Sequence, residues 1–376
     1  MYDYLIVGAG ISGCVIAERV ANILNKKVLI IDSRNHIGGN CYDYLDENGI
    51  LVHKYGPHIF HTKSKLVFDY ISKFTEWEVY FHRVLANVDG IDIPVPFNFD
   101  AIYKVFPPKL ANEIESKLLE KYSYGQKIPI LELRKSSDPL LKFLYEYIYE
   151  KIFLNYTIKQ WHLSPDEIDE SITGRIPVYL SRDDRYFQDK YQAMPKDGYT
   201  AIFNKMIAHP NIELKLNMRL SDIENEISYD KLIYTGKIDE FFDYKYGELP
   251  YRSLDFKLEV YEIEFYQKVA QNNFPNNFDF TRITEFKHFY KRKINNNTIV
   301  AKEYPTQHII GQNEAYYPII NNENKILYDK YINEAKQLEN VYFIGRLAEY
   351  MYYNMDETFL SALKLFDILK ENNVTH

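Results

Sequence analysis

The sequence predicts an α/β fold, α+β over its whole length, and three observations predict it. Residues 4–32 read as strand, glycine turn, helix and strand. A helical, amphipathic stretch follows between residues 97 and 171, and a mostly alternating apolar–polar pattern occupies Tyr251 to Tyr304. At 376 residues the chain is too long for one simple core, so two or three domains are expected.

The opening stretch carries the chemistry of a nucleotide site. The apolar run Tyr4-Leu5-Ile6-Val7 leads into Gly8-Ala9-Gly10-Ile11-Ser12-Gly13. Gly8 permits a tight turn, Gly10 lets the backbone approach a pyrophosphate, and Gly13 lets the helix lie close on the sheet. The helix that opens at Ile11 and Ser12 directs its first N–H groups at phosphate. The second run, Val28-Leu29-Ile30-Ile31, ends on Asp32, where a carboxylate can accept ribose hydroxyls. Beyond it, Arg34 and Ile37-Gly38-Gly39-Asn40 resemble the extended fingerprint of flavoproteins related to glutathione reductase and the amine oxidases. That continuation selects FAD over NAD, with the glycine pair making a second close approach to the cofactor.

Later segments fill out the fold. Tyr55-Gly56-Pro57-His58-Ile59-Phe60-His61-Thr62 reads as a loop built to touch a ligand. His58 and His61 are three apart, but no Cys or carboxylate accompanies them in the segment. A structural His61 and a His58 facing the flavin are therefore expected, and no metal. Residues 63–80 read as helix and 83–96 as paired strands around Asp89-Gly90. In the helical stretch, Leu141, Leu144, Tyr145, Ile148, Ile152 and Phe153 fall at helical spacing and should be core. Residues 175–200, dense in charge, Pro and Gly, should be loop, either disordered or a functional lid. Lys231 to Gly236 reads as a buried strand. Val341-Tyr342-Phe343-Ile344 is a last strand ahead of Gly345-Arg346, and a terminal helix spans Asp356 to Leu369.

Composition narrows the partners. A formal charge of −8 gives no reason to expect nucleic acid or an anionic membrane, so an anionic small substrate would need its own Arg or Lys cluster. Two cysteines, Cys14 and Cys41, make neither a metal set nor a disulfide framework by themselves and fit a reducing compartment. No basic segment precedes an apolar stretch at the N-terminus, and no run of about 18 apolar residues exists. A cytoplasmic protein without signal peptide or membrane span is expected. The 35 tyrosines and 23 phenylalanines are either core material of a biased proteome or, in part, hydroxyls aimed at phosphate oxygens. There is no second GxGxxG for a nicotinamide domain, which favours a non-redox task for the flavin or an external reductant.

Several segments together resemble the UDP-galactopyranose mutase family. Besides the glycine loop, Gly38-Gly39-Asn40 and Tyr55 to Thr62, they are Asn155-Tyr156-Thr157-Ile158-Lys159-Gln160-Trp161, Gln192-Ala193-Met194-Pro195, Tyr251-Arg252-Ser253-Leu254, Thr281-Arg282-Ile283-Thr284-Glu285, Lys302-Glu303-Tyr304, Tyr316-Tyr317-Pro318 and Gly345-Arg346-Leu347. The resemblance implies a discontinuous Rossmann-like FAD-binding domain (1–82, 196–248 and 320–376) and an inserted helical domain (97–171) followed by a mobile loop (172–195). It also implies an antiparallel sheet domain (83–96 and 249–319) and a homodimer. The implied reaction converts UDP-galactopyranose to UDP-galactofuranose through an adduct of the sugar C1 with N5 of reduced FAD, the reductant being external, such as NAD(P)H.

The same resemblance assigns residues. Arg175 and Arg282 would face the diphosphate, where negative charge grows as UDP departs. Tyr186, Tyr316 and Tyr352 would face phosphate as well. Tyr156, Thr157 and Trp161 would lie on the uridine side, and Asn272 would contact uracil. His58, Ile59, Arg346, Tyr353, Asn354 and Met355 would line the flavin, with Gly8, Gly10, Ile11, Ser12, Gly13, Asp32, Arg34, Gly39 and Asn40 holding the rest of it. Arg252 fits a structural or a substrate role equally.

Three positions depart from the family pattern. Asn354 stands where Asp is typical, His82 where Asn is more frequent, and Tyr179 where Arg is common. A nucleotide sugar other than UDP-galactose is therefore an alternative substrate, whether an N-acetylated UDP sugar or a dTDP or GDP sugar. An amine-oxidase-like oxidoreductase is a rival class, and an inactive flavin- or nucleotide-bound protein a third.

Overall fold

The computed structural model describes residues 1–161, 177–223, 226–291 and 296–374. The chain divides into two compact units. One comprises residues 1–80, 189–251 and 315–376, the other residues 81–188 and 252–314.

The first unit is built on a five-stranded sheet. Strand β1 (Tyr2–Val7) leads through the glycine turn into helix α1 (Ile11–Leu24) and strand β2 (Val28–Asp32). The sheet order is Ile212–Leu216, β2, β1, Tyr229–Tyr234, Val341–Phe343, and every pairing is parallel. All of β2 is buried, as a strand covered on both faces requires. The C-terminal helix Met355–Val374 packs on α1. Its observed start and end fall just outside the expected span.

Two expectations for this unit need correction. The helix expected over 63–80 stops at Ile71, and Trp77–Val79 is a strand. Ser64 caps the helix start by accepting the Val67 N–H, and the chain then turns so that Trp77 stacks against both Phe60 (4.7 Å) and Phe68 (5.6 Å). The loop expected over 175–200 contains a real strand, Tyr191–Pro195, paired antiparallel with both Phe60–Thr62 and Trp77–Val79. Its Gln192, Ala193, Met194 and Pro195 are buried, which the neighbouring Pro and charge masked.

The second unit joins helices to a twisted sheet. Strands Val84–Val88 and Ile91–Val95 form the expected hairpin. Their inner residues share one apolar core with Ile114, Leu118, Leu141, Leu144, Ile148, Ile152 and Phe153. The helical stretch and these strands therefore lie in one compact unit. The remaining strands run in the order Tyr251–Tyr261, Thr298–Gln307, Arg282–Glu285, Gln271–Asn273 and then Val84–Val88. The sheet is not wholly antiparallel, because Gln271–Asn273 pairs parallel with Val84–Ala86. The charge-dense run after Tyr179 is tied down by ion pairs. Arg185 bonds Asp183 at 2.7 Å, and Arg182 bridges Asp100 and Glu115 at 3.0 and 2.8 Å. Tyr179, one of the departures, is 9% exposed in the short strand Val178–Tyr179 against Lys127–Ile128.

Candidate active site

The cradle in the first unit is made mostly of backbone. At Gly13 an added Cβ would sit 1.9 Å from the Gly8 oxygen, and at Gly8, where φ is +107°, 1.9 Å from Thr235 Oγ1. Only glycine lets the turn and the helix start close up here. The second glycine loop lies flush on the first, since a Cβ on Gly39 would come within 3.0 Å of Gly10 Cα. No side chain caps the start of α1 at Gly10, so its first N–H groups suit a phosphate. Asp32 fixes both loops, its Oδ2 accepting the Ala9 N–H and its Oδ1 the Arg34 N–H, each at 2.8 Å. Arg34 donates to Asn40 Oδ1 at 3.0 Å and lies over the Tyr55 ring. These features fit the diphosphate and ribose of a bound dinucleotide.

Side chains complete this unit's site. His58 Nδ1 lies 2.9 Å from the Gly56 carbonyl and so carries the proton, leaving Nε2 as the acceptor. The His58 N–H donates to Nδ1 of His53, a buried imidazole whose pKa falls to about 3 because burial penalises its charge. His61 bonds Asp189 at 2.6 Å, a carboxylate partner distant in sequence, which gives it the structural role expected. Ile59 is half-buried beside His58.

Arg346 clamps the two tyrosine segments. It donates to the carbonyls of Tyr353 (2.8 Å) and Tyr316 (3.3 Å) and lies over the stacked rings of Tyr317 and Tyr352. Asn354 opens the C-terminal helix, its N–H donating to Glu357 Oε2 and its carbonyl accepting from Thr358. Met355 sulfur meets the buried Cys41 thiol, which burial pushes up to about 12. Sequence reasoning missed Glu349. Its carboxylate, raised by burial, accepts from the Gly345 N–H at 2.8 Å and the Tyr353 hydroxyl at 3.1 Å.

The second unit presents a polar row on the sheet face that the helices cover. Strand pairing places Arg282 opposite both Asn273 and Glu303, and Gln271 two residues along on the same face. Arg282 Nε donates to Glu303 Oε2 at 2.6 Å, and that carboxylate is only 1% exposed. Arg252 points into the same layer, 3% exposed, donating through Nε to the Gln160 carbonyl at 3.1 Å. Its Nη2 has no hydrogen-bond partner among the described residues, and burial lowers its pKa. Tyr186 lies beside His82, its N–H donating to the His82 carbonyl at 2.7 Å and its ring meeting the imidazole edge-on at 5.9 Å. Helix Asn155–Trp161, bearing Tyr156 and the buried Thr157, is anchored by Lys159 Nζ on the carbonyls of Phe274 (2.7 Å) and Asn277 (3.1 Å).

Two adjacent asparagines point opposite ways. Asn272 pairs with Ile283 and Leu85 and so faces away from Arg282, towards a shallow pocket lined by Asn87, Asp92, Lys268 and Phe274. Asn273 lies on the Arg282 face, and the Oδ1 atoms of both are buried without a hydrogen-bond partner among the described residues. A one-residue step in a strand exchanges the faces, and no sequence pattern distinguishes the two asparagines. Arg175 lies outside the described residues, as does the Trp161 side chain. Gln271 and Glu303 carried no assigned role in the sequence, where they read as ordinary polar residues of an alternating strand.

A parallel sheet with a double glycine cradle defines a dinucleotide-binding α/β flavoprotein. Residues 6–74 match the NAD(P)-binding Rossmann-like domain, and residues 151–352 match the UDP-galactopyranose mutase family. UDP-galactopyranose mutase of Mycoplasma genitalium is 38% identical, over 96% of this chain and 93% of its own. The dTDP-fucopyranose mutase of Escherichia coli is 37% identical, over 99% of this chain and 100% of its own. The crystal structure of a reduced UDP-galactopyranose mutase has the same fold, with a TM-score of 0.75 at 17% identity over 99% of this chain and 94% of that one. The chain belongs to the UDP-galactopyranose mutase family and is an isomerase of that type.

Proposed function

We propose that the protein interconverts the pyranose and furanose forms of a nucleotide sugar, UDP-galactose first, with FAD in its reduced form as cofactor. The observation that carries this reading is Arg282, a guanidinium held by a buried carboxylate in a chain that also carries the dinucleotide cradle. Gly8, Gly10, Ile11, Ser12, Gly13, Asp32, Arg34, Gly39 and Asn40 would hold the FAD diphosphate and ribose. His58, Ile59, Arg346, Tyr353, Asn354 and Met355 would lie along its ring. When bound and reduced, the flavin supplies a nucleophile, N5, for the anomeric carbon as UDP leaves.

The chain's own residues serve the departing diphosphate. Arg282, Arg175, Tyr186, Tyr316 and Tyr352 would supply donors where negative charge accumulates. A planar guanidinium suits two phosphate oxygens at once. The unpartnered Nη2 of buried Arg252 supports a substrate role for that residue too. Tyr156, Thr157, Trp161 and Asn273 would receive the nucleoside. A cytoplasmic homodimer, reduced by NAD(P)H and supplying furanose units to a surface polysaccharide, belongs to the same reading.

A second sugar is a live alternative, because the dTDP-fucopyranose mutase relative matches nearly end to end. The test is chromatography of the dithionite-reduced protein against a panel of UDP, dTDP and GDP sugars. Furanose product from UDP-galactose supports the first reading, and product from another sugar alone moves the assignment to that sugar. No furanose from any of them contradicts the mutase reading.

A further inference from the structure

We propose that Gln271 is the positioning residue of Arg282, and that His82 holds the Gln271 amide in place. The inference rests on Arg282 meeting a nucleotide diphosphate, as proposed above. Gln271 is 5% exposed and sits between the two side chains. Arginine offers only donors, so the amide oxygen must face it, 2.7 Å from Nη1 and 3.3 Å from Nε. The amide NH2 then faces His82 Nε2 at 2.9 Å. That nitrogen must accept, so the His82 proton resides on Nδ1. The arginine thus sets which end of the amide faces it, and a buried histidine, 2% exposed, holds the other end.

The chemistry explains why an amide serves here. Glu303 pairs with Arg282 from the Nε side, at 2.6 Å. A second carboxylate would hold the guanidinium as well but make the set net negative and repel a diphosphate. A neutral amide oxygen fixes the Nη1 edge and adds no negative charge. His82 lies just ahead of the strand Val84–Val88, and the parallel pairing that sets Gln271 beside Val84 brings the two together. The odd parallel pair of the sheet is thus what brings this couple together.

The test is calorimetric titration of the flavin-loaded full chain with UDP and, separately, with uridine, which lacks the diphosphate. Arg282→Ala, Gln271→Leu and the near-isosteric Gln271→Glu should each weaken UDP by about ten- to a hundredfold, the worth of a hydrogen bond to a charged group. Uridine binding should stay as it is in the native chain. His82→Leu should weaken UDP alone, and add nothing in the Gln271→Leu background. If Arg282→Ala weakens UDP while both Gln271 variants bind it normally, the positioning role is refuted. Equal losses for UDP and uridine would make Gln271 a packing residue only, and additive losses in the double variant would remove His82. Unchanged UDP binding in Arg282→Ala would contradict the diphosphate reading itself and this inference with it.

Discussion

The cradle of the first unit and the polar row of the second are suited to phosphate by different means. In the cradle, backbone N–H groups and close-packed glycines make the surface, and the key distances are those at which a Cβ would collide. On the inner face of the second unit's sheet the donors are long side chains, and their aim depends on neighbours: Glu303 and the Gln271 amide contact Arg282, and His82 contacts the other end of Gln271. A backbone site should fail abruptly when one atom is added. A side-chain site should lose function in steps as its supports are removed.

The largest effect should come from Gly13→Ala. The added methyl would lie 1.9 Å from the Gly8 oxygen, so the purified protein should retain no flavin, as read by its visible absorbance. Retention at the native level would show that the turn can relax. Next, Arg282→Ala should cost on the order of ~2–4 kcal/mol of transition-state stabilisation in kcat/KM while the protein remains yellow. Colour and turnover lost together would collapse the distinction between the two sites.

The first unit also predicts a pH dependence. His53 falls from its ordinary 6.5 to about 3, so the folded chain refuses a proton that the unfolded chain binds. Its contribution is fully present above 6.5 and is lost as the pH falls towards 3. Stability should drop on the order of ~2 kcal/mol by about pH 5 from this group. His53→Asn should flatten the Tm–pH curve across that window, and an unchanged slope would argue against a neutral buried His53. The smallest effect sharpens the sheet face. Asn273→Ala should weaken nucleotide binding by about 1 kcal/mol, the worth of one hydrogen bond, and Asn272→Ala should leave it unchanged. The reverse result would mean that Asn272 meets the nucleotide.

The same contrast explains what was legible in the sequence. Gly8, Gly10, Gly13 and Asp32 announce themselves because the geometry of the turn admits few other residues. The helical stripe from Leu141 to Phe153 was legible for a similar reason, since periodicity reports a buried face. Gln271, Asn273 and Glu303 were silent. Their roles depend on which strand lies beside which, and on a parallel pair that nothing local encodes. The strand Tyr191–Pro195 was hidden by its charged approach, and Glu349 by the absence of any pattern linking it to Gly345.

The most direct measurement compares turnover of UDP-galactose by the oxidised and the dithionite-reduced protein, with furanose product followed by chromatography. The reduced protein should form UDP-galactofuranose, and the oxidised protein none. Equal turnover in the two states would contradict a reduced flavin acting at the sugar.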